Sequence, residues 1–270
     1  MQKEKFIIIP NKKELKLYEK YSFNNFILPL KNYSIGFDVY YSIDEINELS
    51  NMHNIYVMIN KFLHNDIISF KEIYTKFNKK IKFIVEDIGL TEIIDKSRII
   101  LFENHIISNY KAINYLNKLN YNSVVVNNDL TITELEEILD KTNSNLYYYI
   151  ITRNNLMYSK RKLVSNFNEY YKINNKKNVY DITETISKEK LIVKEENDSS
   201  IVYYSKLFCA NKYINKLEKI SNFIINFTSI NEVEEQIILD SYDKENLVNL
   251  INCDYYFLEN DIKYKVGDLK

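Results

Sequence analysis

Ile55-Tyr-Val-Met-Ile-Asn60, Phe83-Ile-Val-Glu-Asp87, Ile99-Ile-Leu-Phe-Glu-Asn104, Val124-Val-Val-Asn-Asn-Asp129 and Leu146-Tyr-Tyr-Tyr-Ile-Ile-Thr-Arg153 decide the fold. Each is a short apolar block that closes on polar residues. The first four are followed by segments with helical periodicity. Repeated strand–helix units of this length build a parallel α/β sheet. In such a sheet, ligands bind beyond the C-terminal strand ends, where these polar groups fall.

The same rhythm extends outward. Phe6 to Ile9 and Phe26-Ile-Leu-Pro-Leu30 read as strands, with a helix over Lys13 to Tyr21 between them. Ser42/Glu45, Ser69/Glu72 and Thr131/Glu134 have capping-box spacing and predict three helix starts. The helix Asn109–Leu119 is predicted to turn Ala112, Tyr115, Leu116 and Leu119 inward. The helix after Thr131 turns Leu135, Ile138 and Leu139 inward. Residues 152–200, rich in Asn, Lys and Tyr, break the pattern. They read as an irregular excursion holding one or two short strands, such as Lys190–Val193. Units resume with Ile201-Val-Tyr-Tyr204, a helix near Ala210–Ile220, a strand Phe223–Phe227, and helices near Asn231–Leu239 and Glu245–Ile251. The expected fold is α/β, a (β/α)8 TIM-barrel-like domain, complete or distorted, spanning residues 1–270. Its regular units cover about 1–151, its excursion about 152–200 and its closing units about 201–270.

A chain of 270 residues with 46% hydrophobic and 27% charged residues can bury a substantial core. Its three glycines, Gly36, Gly89 and Gly267, build neither G-x-G-x-x-G nor a P-loop, which excludes the usual nucleotide sites. Cys209 and Cys253 are too few for a zinc knuckle or an iron–sulfur cluster, so no cofactor is expected. They read as buried free thiols of a reducing compartment. No apolar run reaches the length of a membrane span, and Phe6-Ile-Ile-Ile-Pro10 is too short for a secretory signal. The expected location is cytoplasmic, with no membrane partner. The net charge of −1 gives no global pull on nucleic acid, so such binding needs a local patch.

Asn60, Asp87, Asn104, Asn127 and Asp129 at the strand ends have two readings. They line a cleft, or they cap the helices that follow by accepting from free N–H groups. Glu86 and Asp87 are adjacent, so only one of them faces the barrel interior. A paired-carboxylate acid/base site would need Glu103 from the next strand. His64 and His105 also follow strand ends and could move protons. No local spacing supports a metal site, and no G-x-S-x-G or Cys–His arrangement supports a nucleophile. Between Arg153 and Lys177, seven cations stand against Glu169 alone, with Tyr158, Tyr170 and Tyr171 interleaved. Arg153, Tyr158, Lys160, Arg161 and Lys162 are thus candidates for contact with RNA, or with a partner protein. A solvated loop is the plain alternative.

Several segments together resemble peptidase family U32. They are Ile55–Asp66, Phe83–Glu92, Asn109 with its helix, Val124–Ile138 and Ile201–Cys209, covering roughly residues 35–240. The resemblance implies a barrel-like α/β fold and a family named for peptidase, or collagenase-like, activity. It also implies relatives that act in RNA or quinone hydroxylation, several with an iron–sulfur cluster. Some work as unequal pairs, and a Firmicute-type pair serves 5-hydroxyuridine formation at the tRNA wobble position. This chain departs from the family where cysteines are expected around Tyr158–Ser165. It departs again at Ile224–Ser229, where the Lys, Glu and Arg of a K-i-E-G-R strand are missing. The resemblance therefore implies a short accessory subunit without a cluster, paired with a larger U32 protein in tRNA modification. The alternatives are a hydrolase using barrel-mouth carboxylates and a binding protein without catalysis.

Overall fold

The computed structural model describes residues 3–64, 66–102, 107–174, 177–243 and 253–259. Seven parallel strands come first: β1 (Phe6–Ile9), β2 (Asn25–Pro29), β3 (Asn54–Ile59), β4 (Lys82–Val85), β5 (Ile99–Leu101), β6 (Ser123–Val126) and β7 (Asn145–Thr152). Four strands then form a separate sheet: β8 (Asn155–Ser159), β9 (Val179–Thr183), β10 (Lys190–Glu196) and β11 (Ser199–Tyr204). β12 (Leu207–Cys209) lies antiparallel on β7, and β13 (Asn222–Asn226) pairs in parallel with both β7 and β1. β14 (Cys253–Asp254) extends β12. The ring β1 to β7, closed by β13, is an eight-stranded parallel barrel, as the βα rhythm predicts. It is complete.

Both faces of each barrel strand are buried, which explains why the runs are continuously apolar instead of alternating. Ile7, Ile27, Met58, Ile84, Ile100, Val125, Tyr147 and Ile224 fill the interior. Their neighbours Ile8, Phe26, Val57, Phe83, Leu101, Val124, Tyr148 and Phe223 pack outward in the core that the helices complete. The helices are α1 (Lys16–Lys20), α2 (Ile43–Leu49), α3 (Asp66–Tyr74), α4 (Tyr110–Lys118), α5 (Ile132–Lys141), α6 (Leu163–Tyr170) and α7 (Glu232–Asp243).

Ser42/Glu45 and Thr131/Glu134 form the reciprocal capping boxes their spacing predicts, opening α2 and α5. Ser69 does not. α3 begins at Asp66, and the Ser69 hydroxyl donates to the Asp66 carbonyl at 2.7 Å from inside the helix. On α4 the fully buried residue is Ile113, whereas Tyr115 is 63% exposed. The buried stripe starts from the cap at Asn109 and runs through Tyr110, Ile113 and Leu116, one step off the predicted face. Residues 210–220 hold a short 3-10 turn at Asn211–Tyr213 where a longer helix was expected. The helix expected at Glu245–Ile251 lies outside the described residues.

Two larger corrections concern the second half. Cys209 and Cys253 are joined in a disulfide, not free, which fastens β14 to β12. The excursion is a regular antiparallel sheet in the order β8-β11-β10-β9, and it takes in Ile201–Tyr204, which the sequence pattern places in the barrel. Its signal was period-two alternation, mixed with charge. Leu191 and Val193 share one face of β10 with Val202 of β11, under α6. Ile192, Lys194, Glu196, Ile201 and Tyr203 take the opposite face.

Candidate functional site: the covered barrel mouth

Inward-facing positions at the strand ends converge as the parity of each strand requires. Asn60, Glu86, Phe102, Asn127, Tyr149 and Asn226 meet at the mouth, joined by Asn128, Asp129, Thr152 and Asn154. Ile201 and Tyr203 of β11 press down on them from the small sheet. What remains is a cavity of about 70 Å³. That is room for a few water molecules, well below the roughly 300 Å³ at which small-molecule pockets begin.

The small sheet is latched to the barrel rim. The Tyr203 hydroxyl donates to the Gly36 carbonyl at 2.8 Å. Gly36 sits at φ 92, and a Cβ there would overlap the Tyr203 hydroxyl. Lys194 donates to the Phe37 carbonyl at 2.8 Å and pairs with Glu196 at 2.8 Å and Asp38 at 3.6 Å. Glu196 in turn accepts from Tyr40 and from the Gly36 N–H. Lys61 reaches Asp198 at 3.3 Å, and the Phe62 and Tyr158 rings lie 5.7 Å apart. Burial, and next the Glu196 charge, pushes the Tyr40 hydroxyl far above the usual phenol pKa. Tyr203 moves the same way, by burial and then by its neighbours Tyr40 and Glu196. These phenols are donors in the latch and stay protonated.

The mouth residues are engaged in holding backbone. Asn60 accepts from the Ile35 N–H at 2.9 Å and donates to its carbonyl at 3.1 Å. Asn127 accepts from the Asp129 N–H at 3.1 Å, and Asn226 from the Thr228 N–H at 3.0 Å. Asn128 donates to the Tyr149 carbonyl at 3.3 Å. Of the adjacent carboxylates, Glu86 faces the cavity. Asp87 points outward, accepting from the Leu63 and Gly89 N–H groups, both at 2.9 Å. Burial and then the Glu86 charge raise the pKa of Tyr149. Glu103 and His105 lie outside the described residues. Among the described residues, no group of three or more His, Cys, Asp or Glu is placed to hold a metal ion. Nor is any described helix long and apolar enough to cross a membrane.

A sequence comparison decides the family. Residues 37–231 match the family model of peptidase family U32, which is 195 of the 270 residues. The chain belongs to peptidase family U32. The solved structure of the U32 peptidase Mk0906 is similar over 82% of this chain and 91% of that chain, at 9% identity and a TM-score of 0.48. No curated protein matches the sequence significantly.

Within this U32 barrel the remaining candidates divide. Arg153 is turned inward. Its guanidinium donates to the Ser229 carbonyl at 3.2 Å and to the Ser205 carbonyl, and burial lowers its pKa. Tyr158 is half-buried against the rim. His64, Asp87 and Lys160 come together with Phe62 and Ile67 around a cleft of about 380 Å³ at the seam between barrel and lid. Arg161 and Lys162 are exposed just before α6. Sequence reasoning missed Gly36, Lys194, Glu196, Ile201 and Tyr203, the residues that shut the mouth. For Lys194, Glu196, Ile201 and Tyr203 the only signal is the alternation of β10 and β11.

Proposed function

We propose that this U32 protein is a non-catalytic accessory subunit. It works with a larger, cysteine-bearing U32 protein in RNA modification, of the kind that hydroxylates the tRNA wobble uridine. The observation that carries the reading is the covered mouth. A peptide or a flipped base needs an open cleft beside reacting groups, and here β11 fills that volume. Asn60, Asn127 and Asn226 are engaged in backbone hydrogen bonds at the strand ends. The pairing and the RNA substrate follow from the family resemblance, together with the missing cysteines around residues 158–165. A cytoplasmic setting belongs to the same proposal.

Affinity purification of the tagged chain from its native source tests it. The expected result is co-purification of a larger U32 protein, and loss of wobble-uridine hydroxylation when the gene is deleted. A solitary protein with unchanged tRNA modification would contradict the proposal. So would peptide hydrolysis by the pure chain that disappears in Glu86→Gln.

A further inference from the structure

α6 is the outermost layer of the lid. Its inner side, through Val164, packs on Leu191, Val193 and Val202. Along one flank and at its C-cap it carries Phe167, Tyr170 and Tyr171, which are 53%, 79% and 59% exposed. Spacing of three and four residues sets them in one stripe. The Phe167 and Tyr171 ring centroids lie 4.7 Å apart, and those of Tyr170 and Tyr171 4.8 Å. Single exposed rings are ordinary, but three in contact form a ready stacking surface.

Cations frame this stripe. Lys160, Arg161 and Lys162 precede the helix and Lys172 follows it, all exposed and none in an ion pair among the described residues. Glu169 is the one acid on α6. Cations at a helix N-terminus oppose its dipole. The first N–H groups of α6 are instead satisfied by Ser200, at 3.0 Å from the Leu163 nitrogen, and by Glu195, at 2.9 Å from the Ser165 nitrogen. The helix has no need of the three N-terminal cations for its own stability.

We infer that the exposed flank of α6, through Phe167, Tyr170 and Tyr171, binds single-stranded RNA. The rings stack on unpaired bases, and Arg161, Lys162 and Lys172 neutralise the flanking phosphates. Charge selects an anionic partner, and stacking requires base faces that a duplex hides. The inference deepens the accessory reading and rests on it for the choice of RNA over DNA.

The test is fluorescence anisotropy of a short labelled oligouridine RNA with the full chain. Saturable binding that weakens with salt is expected. Tyr170→Ala with Tyr171→Ala should weaken it about tenfold or more, while the matching Phe pair keeps it, because the rings remain. Arg161→Glu with Lys162→Glu should weaken it and flatten its salt dependence. Absent binding at low salt, or variants that bind like the wild type, overturns the inference. Tighter binding of the matching DNA overturns the choice of RNA. If the two tyrosines are needed only to hold a partner protein, the face is a protein interface and the inference falls. The assay uses this chain alone, so its failure leaves the accessory reading standing, and a failed co-purification leaves the oligonucleotide result standing.

Discussion

Gly36 shows how one residue controls the mouth. Its φ of 92 is open to glycine and costly for other residues, and the Tyr203 hydroxyl occupies the space a Cβ would take. Gly36→Ala should destabilise the protein by about 1–3 kcal/mol in chemical denaturation. It should also make the lid more sensitive to limited proteolysis. Unchanged stability and an unchanged cleavage pattern would show that the latch does not depend on this contact. The strand-end residues teach a related point. Asn and Asp at the end of a parallel strand suit ligand contact and backbone capping equally well by type, so residue identity could not choose between them. Parity goes one step further: it allows only one of Glu86 and Asp87 to face the interior. The structure turns Glu86 inward, and Asp87 accepts from backbone N–H groups outside the barrel.

At the level of elements, the barrel strands were legible because continuous apolar runs of four to six residues suit strands buried on both faces. The lid was not. Its strands alternate apolar and charged residues, and the charges on the mouth side, Lys194 and Glu196, read as solvent-facing until their partners on the barrel rim are known. The α4 face was misjudged for a local reason. Counting from apolar residues alone favoured Tyr115 and Leu119, whereas the Asn109 cap fixes the helix so that Ile113 meets the barrel. The latch makes a prediction at this scale. Lys194→Ala leaves Glu196 with one cation fewer beside it and the Phe37 carbonyl without its donor. Loss of such a part-buried network costs about 1–3 kcal/mol. Amide hydrogen exchange should rise in β10 and β11 and stay slow in β3 and β4. Uniform acceleration across both would mean that lid and barrel open as one unit.

Taken whole, the molecule is a U32 barrel closed by a sheet of its own chain, with α6 as its outer layer. The chain holds 24 tyrosines, and those at the barrel axis and under the lid have hydroxyl pKa values raised chiefly by burial. A phenol raised in the fold above its unfolded value contributes stability that is fully present below about pH 10 and is lost as the pH rises further. The chain should therefore be most sensitive to alkali. Tyrosinate absorbance from the buried rings should appear in a cooperative phase that coincides with unfolding by circular dichroism. A single smooth titration near pH 10 with the fold intact would contradict the burial of these rings.

The covered mouth is tested most directly by its accessibility. Thr152 lines the cavity and is buried, whereas Tyr170 stands on the exposed flank of α6. In a background where Cys209 and Cys253 remain paired, Thr152→Cys should resist a bulky maleimide in native buffer and react fully once unfolded. Tyr170→Cys should react at once. Rapid native labelling of Thr152→Cys, at a rate close to that of Tyr170→Cys, would contradict the account, because the mouth would then be open to substrate.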